Sequence, residues 1–173
     1  MCPKSTCYST GSKYHEPCTK FVRKLCKENV PSLVSNLTLD EIWYSLIKVS
    51  LIKDFGDKYA SLLFAIFPRM TRKWYVEIRD DPEILRNYVP LIKRVMADTS
   101  MLQNVILVEV KTEMTLKAID FIGKYSLLPR DAIHLATMLG LGVKNIVTTD
   151  IDFTRVKDIN VYTCNYKVPG QIK

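Results

Sequence analysis

The run Leu127–Phe153, LLPRDAIHLATMLGLGVKNIVTTDIDF, constrains the fold more than any other part of the chain. Ala132, Ile133, Leu135, Ala136, Met138 and Leu139 make Asp131–Leu139 apolar nearly all round, the pattern of a buried helix. The polar stripe that remains is Asp131, His134 and Thr137, at helical spacing. Gly140 and Gly142 stop the helix. Asn145–Thr149 then reads as a strand buried by its Ile-Val centre, and Asp150 and Asp152 stand just past its carboxyl end. In an open α/β sheet that end is where ligands bind. Asp131 starts a helix packed on the same sheet, so its carboxylate and that of Asp150 are expected to face one crevice.

The chain has 173 residues, 47% hydrophobic and 25% charged, which is one domain's worth of ordinary globular composition. No apolar run approaches the roughly 20 residues of a membrane span. No signal-peptide pattern opens the sequence, so it reads as cytoplasmic. The formal net charge is +7, and lysines and arginines in excess suit a polyphosphate partner because counterions are released when they meet phosphates. Five cysteines are present with no CxxC pair. Cys2, Cys7, His15 and Cys18 are spaced like no standard zinc module, and Cys18 and Cys26 fit the apolar face of a helix.

Residues 1–13 are polar, hold Pro3 and Gly11, and lack apolar alternation. His15–Asn29 is an amphipathic helix, with Cys18, Phe21, Val22, Leu25 and Cys26 on one face and Lys20, Arg23, Lys24 and Lys27 on the other. Val30–Asn36 is a short strand or turn. Thr38–Glu41 reads as a capping box that opens the next helix. Asp57–Phe67 and Arg69–Arg79 read as helices, and Asp81 caps a third, Pro82–Asp98, interrupted near Pro90. Arg69, Arg72 and Lys73 lie there among Trp74, Tyr75 and Tyr88, a mixture that suits RNA phosphates and unstacked bases. The same aromatics at helical spacing suit a core or a homodimer interface. Val105–Val110 is a strand, and Thr112–Tyr125 is a helix capped by Thr112 with Leu116, Ile119, Phe121 and Ile122 buried. Ile159–Thr163 is the last strand.

LPRDAIHLAT followed by the strand end IVTTDIDF resembles the carboxyl-terminal half of a PIN domain, as in VapC-type toxin ribonucleases. The resemblance runs over roughly residues 14–163 and implies a three-layer α/β domain. Its mainly parallel sheet is flanked by helices, with residues 54–101 as a helical insertion. It implies that Asp131 and Asp150 help hold a divalent metal. Through LTLDEIWYSLIK it implies that Glu41 is the second metal-site carboxylate and a member of the catalytic set. PIN domains begin with a central strand whose Asp-Thr-Asn-like end supplies the first acid, whereas here the first acidic residue is Glu16. Either that acid is lost or the natural start lies upstream.

Carboxylate-held Mg²⁺ or Mn²⁺ lowers the pKa of bound water and stabilises the charge that builds up during phosphodiester cleavage. Asp152 is a further metal candidate or an Asx-turn residue. Thr149 is a buried strand-end hydroxyl or a water-orienting group. His134, one turn from Asp131, is a core histidine or an acid–base group. Arg69, Arg72, Lys73 and Arg130 are the candidate nucleic-acid contacts. The implied function is a metal-dependent endoribonuclease acting on single-stranded RNA, as the toxin of a toxin–antitoxin pair whose antitoxin covers the acidic crevice. The rivals are a catalytically degenerate RNA-binding or assembly protein and a small-molecule phosphatase.

Overall fold

The computed structural model describes residues 15–59 and 81–163. The expectations for residues 1–13, for Cys2 and Cys7, for most of Asp57–Phe67 and for the helix Arg69–Arg79 fall outside the described residues. Arg69, Arg72 and Lys73 fall outside them too.

Helix α1 (His15–Lys27) keeps Phe21, Val22, Leu25 and Cys26 half-buried and its basic face exposed. Asn29, at φ 50°, turns the chain out of the helix, and the Val30 N–H reaches the Leu25 carbonyl at 2.9 Å. Strand β1 (Ser32–Ser35) leads straight into α2 (Asn36–Tyr59), a continuous helix of 24 residues.

The cap of α2 differs from the expectation. The hydroxyl of Ser35, not Thr38, accepts a helix N–H, that of Thr38 at 3.2 Å. Ser35 is buried, and a hydroxyl there needs a partner, so the helix starts where Ser35 can supply its cap. Glu41 thus lies beyond the first turn, where no N–H needs capping, and the capping-box role falls away.

Asp81 accepts the Glu83 N–H at 3.2 Å and opens a 3₁₀ turn (Pro82–Tyr88). The turn passes into α3 (Val89–Ser100) beside Pro90, at the expected interruption. Buried Tyr88 donates its hydroxyl proton to Asp54 Oδ2 at 2.9 Å and so ties this unit to α2. Burial, and then the Asp54 carboxylate, push the Tyr88 hydroxyl up to about 12.

Strand β2 (Val105–Val108) stops two residues early. The Val110 N–H turns instead to Asn36 Oδ1 at 3.2 Å. Helix α4 (Thr112–Tyr125) starts after Lys111 with no side-chain cap, so Thr112 is not its cap. Helix α5 (Pro129–Gly140), strand β3 (Asn145–Val147), a 3₁₀ turn (Asp152–Arg155) and strand β4 (Asn160–Tyr162) follow. Strands β1 and β2 run parallel, Ser32 opposite Val105 through Ser35 opposite Val108. Strands β3 and β4 are also parallel. The fold is mixed α/β with parallel strands, and among the described residues these form two pairs.

The main core lies where α4 and α5 pack over the β3–β4 half, around Met114, Ala118, Leu127, Ala132, Leu135, Ala136, Phe153, Val156 and Ile159. The expected buried face of α4 needs correction, since Leu116 and Ile119 are 62% and 64% exposed and Ile122 is also exposed. The helix instead buries Met114 and Ala118, one turn apart, because a small residue lets α5 approach closely. Gly140 serves the same contact, for a Cβ there would lie 3.1 Å from Met114 Cε. Gly142, at φ 72°, has the different task of reversing the chain after α5. No helix among the described residues is long and apolar enough to cross a membrane.

Leu135 is fully buried, so Leu135→Ala is expected to cost roughly 2–5 kcal/mol of stability. Ser35→Ala is expected to cost about 1 kcal/mol through the lost cap. Urea unfolding of the two variants checks both values and their order.

Candidate metal centre

The site begins with the rotation of α5. Ala132, Leu135 and Ala136 are buried, which turns Arg130, Asp131 and His134 toward the opposite side. Pro129 sits at the helix start, where its missing N–H is no loss, and Asp131 falls in the first turn, where the helix dipole favours an anion. Thr137 does not continue the polar stripe. It is buried, and its hydroxyl is spent on the Ile133 carbonyl at 2.8 Å.

Past β3 the chain folds on its own side chains. Thr148 Oγ1 accepts the Asp150 N–H at 3.0 Å, and Asp150 Oδ1 accepts the Asp152 N–H at 2.8 Å. The Asx turn therefore belongs to Asp150, not to Asp152. Thr149, expected as a buried hydroxyl, is exposed, and β3 ends at Val147 with that residue exposed. Asp152 Oδ1 meets Arg155 Nη2 at 2.8 Å, and Arg155 Nη1 donates to the Ser126 carbonyl at 2.7 Å. Arg155 thereby fastens the turn to the end of α4.

These two approaches bring Asp131, Asp150 and Asp152 together, with one carboxylate oxygen of each within 4.8 Å of the others. Burial, and then the Asp150 charge, raise the Asp131 carboxyl above its ordinary value; His134 opposes this, while Asp152 and Glu41 add to it. Three carboxylates this close repel unless protons or a cation intervene. Hard oxygen donors in such a group fit Mg²⁺ or Mn²⁺.

Glu41 stands beside this trio rather than within it. Its Oε2 lies 3.2 Å from His134 Nε2 and its Oε1 4.0 Å from Arg130 Nη1. Arg130 Nη2 also reaches Asp40 Oδ2 at 3.3 Å. His134 was expected beside Asp131 in a core role; its hydrogen bond instead goes to a residue 93 positions earlier. Nothing in local sequence announces this contact, or that of Arg155 with Ser126. Near these helices, Asn36, Leu37, Val110, Thr115 and Ile133 line an open cleft of ≈ 370 Å³.

A family model for the PIN domain matches residues 8–159. The match takes in every residue of this site and also part of the amino-terminal segment that was expected to lack a counterpart. Comparisons with curated proteins and with solved structures gave no match.

The raised Asp131 carboxyl fixes a sign. A folded value above the unfolded 3.8 gives a stabilising contribution present in full below 3.8 and lost as pH rises through the folded value. In metal-free buffer Asp131→Asn is therefore expected to be more stable than the unaltered chain at neutral pH, the advantage vanishing in acid. Urea midpoints across that range measure it, and a less stable variant at neutral pH contradicts the account.

Proposed function

The chain belongs to the PIN domain family, whose members are generally metal-dependent nucleases, and on that premise we propose that it is an endoribonuclease cleaving single-stranded RNA. Asp131, Asp150 and Asp152 would hold Mg²⁺ or Mn²⁺, with Glu41 as a further metal-site and catalytic carboxylate reaching in from α2. The observation that carries this reading is the convergence of three carboxylates, from α5 and from the turn after β3, within 4.8 Å. A divalent cation bound there supplies an activated water and neutralises charge that builds up on the phosphate.

The protein's own residues do the remaining work. Asp150 is held by its backbone turn and Asp152 by Arg155, so two of the three ligands are oriented in advance. Arg130, exposed at the rim and engaged with Asp40 and Glu41, is placed to exchange those acids for an RNA phosphate. Arg69, Arg72 and Lys73, which lie outside the described residues, are further proposed contacts for the strand on the strength of their basic side chains in the sequence. We read the chain as a single domain with an inserted helical segment. A toxin role, with an antitoxin covering the carboxylates and the toxin acting as a homodimer, is the specific form of this reading.

One observation favours a second reading, in which the protein binds RNA without cutting it. Glu41 is engaged by His134 and Arg130 instead of by the carboxylate trio.

Cleavage of a single-stranded RNA is expected to stop with EDTA and to fall by on the order of a hundredfold or more in Asp131→Asn and Asp150→Asn. Gel assays of purified protein decide it. Cleavage that survives either treatment rules out this site, and RNA binding with no cleavage under Mg²⁺ or Mn²⁺ selects the second reading. Arg72→Glu together with Lys73→Glu is expected to weaken RNA binding and flatten its salt dependence by about one unit of slope per lost contact. An unchanged slope removes these residues from the RNA surface.

A further inference from the structure

We infer that His134 is a positioning residue for Glu41, donating its Nε2–H to Glu41 Oε2 so that the carboxylate from α2 is held beside the cluster of Asp131 on α5 and Asp150 and Asp152 in the turn after β3. The inference rests on the nuclease reading above.

The argument begins with how loosely a glutamate would otherwise stand. Glu41 projects from the interior of α2 with three side-chain torsions, and fixing a side chain of that length has a conformational-entropy cost. Something must offset that cost if Glu41 is to wait beside Asp131. Among the described residues, Arg130 and His134 reach it. Arg130 is 56% exposed and 4.0 Å away, so water and salt screen its attraction. His134 is 19% exposed and 3.2 Å away, within hydrogen-bond distance and partly shielded. A carboxylate only accepts, so the imidazole nitrogen facing it must donate.

Placement on the helix strengthens the case. His134 lies on the same face of α5 as Asp131, one turn on. The helix that presents one member of the trio thus also holds the acid from α2, and any rotation of α5 moves both together. Among the described residues the contact joins other polar ties from α2 across the fold, those of Arg130 to Asp40, of the Val110 N–H to Asn36 and of the Tyr88 hydroxyl to Asp54. The bond to Glu41 engages Nε2 of the histidine, and among the described residues the group whose atoms are close enough to share an ion is Asp131, Asp150 and Asp152. Carboxylates that bind metal commonly depend on such outer hydrogen bonds, and losing one typically costs ten- to a hundredfold in metal affinity.

The test is Mn²⁺ calorimetry on the full chain, with thermal melts in metal-free buffer to check folding. H134A is expected to weaken Mn²⁺ binding about ten- to a hundredfold. H134Q, whose amide keeps a donor, is expected to restore most of it. In an E41Q background, H134A should add little, because its effect runs through Glu41. Mn²⁺ affinity unchanged in H134A, or an equal loss with and without the Glu41 carboxylate, overturns the inference while leaving the nuclease reading in place. An unaltered protein that binds no Mn²⁺ overturns both. Ring ¹⁵N shifts of His134 supply a readout that does not depend on H134A folding. They should report an Nε2-protonated ring in the unaltered chain and move in E41Q; an unmoved signal counts against the contact.

Discussion

The burial of Ala132, Leu135 and Ala136 is the constraint from which the rest of the site follows. A helix has only one rotation that puts three chosen residues inward, and choosing it decides where every other side chain points. With those three inside, Arg130, Asp131 and His134 face the turn after β3 and the flank of α2. Close approach of α4 makes the rotation stable, and that approach relies on small residues. Ala118 supplies one and Gly140 the other, the second lying directly against Met114. Asp131 is held in place by packing on the far side of its own helix.

That placement has an electrostatic cost. Asp131 is partly withdrawn from water and faces Asp150 and Asp152, and its raised carboxyl records the opposition. The fold relieves the strain from two directions. Arg155 neutralises part of Asp152 and is anchored to the Ser126 carbonyl, while the Asx turn spends one oxygen of Asp150 on a backbone N–H. Neither removes the repulsion among the remaining oxygens. A divalent cation would remove it, which is the physical sense in which the arrangement fits the metal dependence general to PIN domains.

Much of the chain's organisation could be read from local pattern. The helix at Pro129–Gly140, the amphipathic α1, the cap at Asp81 and the break near Pro90 all depend on neighbours within one or two turns, and all are present. The misreadings share a cause. Leu116, Ile119 and Ile122 are as apolar as the residues that α4 buries, and periodicity cannot say which of two apolar faces meets a partner. Thr38 looks like a cap, but a buried Ser35 three residues earlier accepts the Thr38 N–H, so the helix has already begun when Thr38 is reached. Strands β2 and β3 end sooner than their apolar pattern suggests because the chain's next hydrogen bond, to Asn36 in the case of β2, lies far away in sequence.

The sequence alone determined the candidate acids and the local elements that hold them, because acid type, helical spacing and glycine turns are short-range properties. It supplied Asp131 at a helix start, Asp150 and Asp152 past a strand, and Glu41 near the start of another helix. Only the tertiary structure decided that three of these acids share one space while the fourth leans on His134. Residues 93 positions apart meet because buried faces dock, and no local pattern encodes the angle at which they do so.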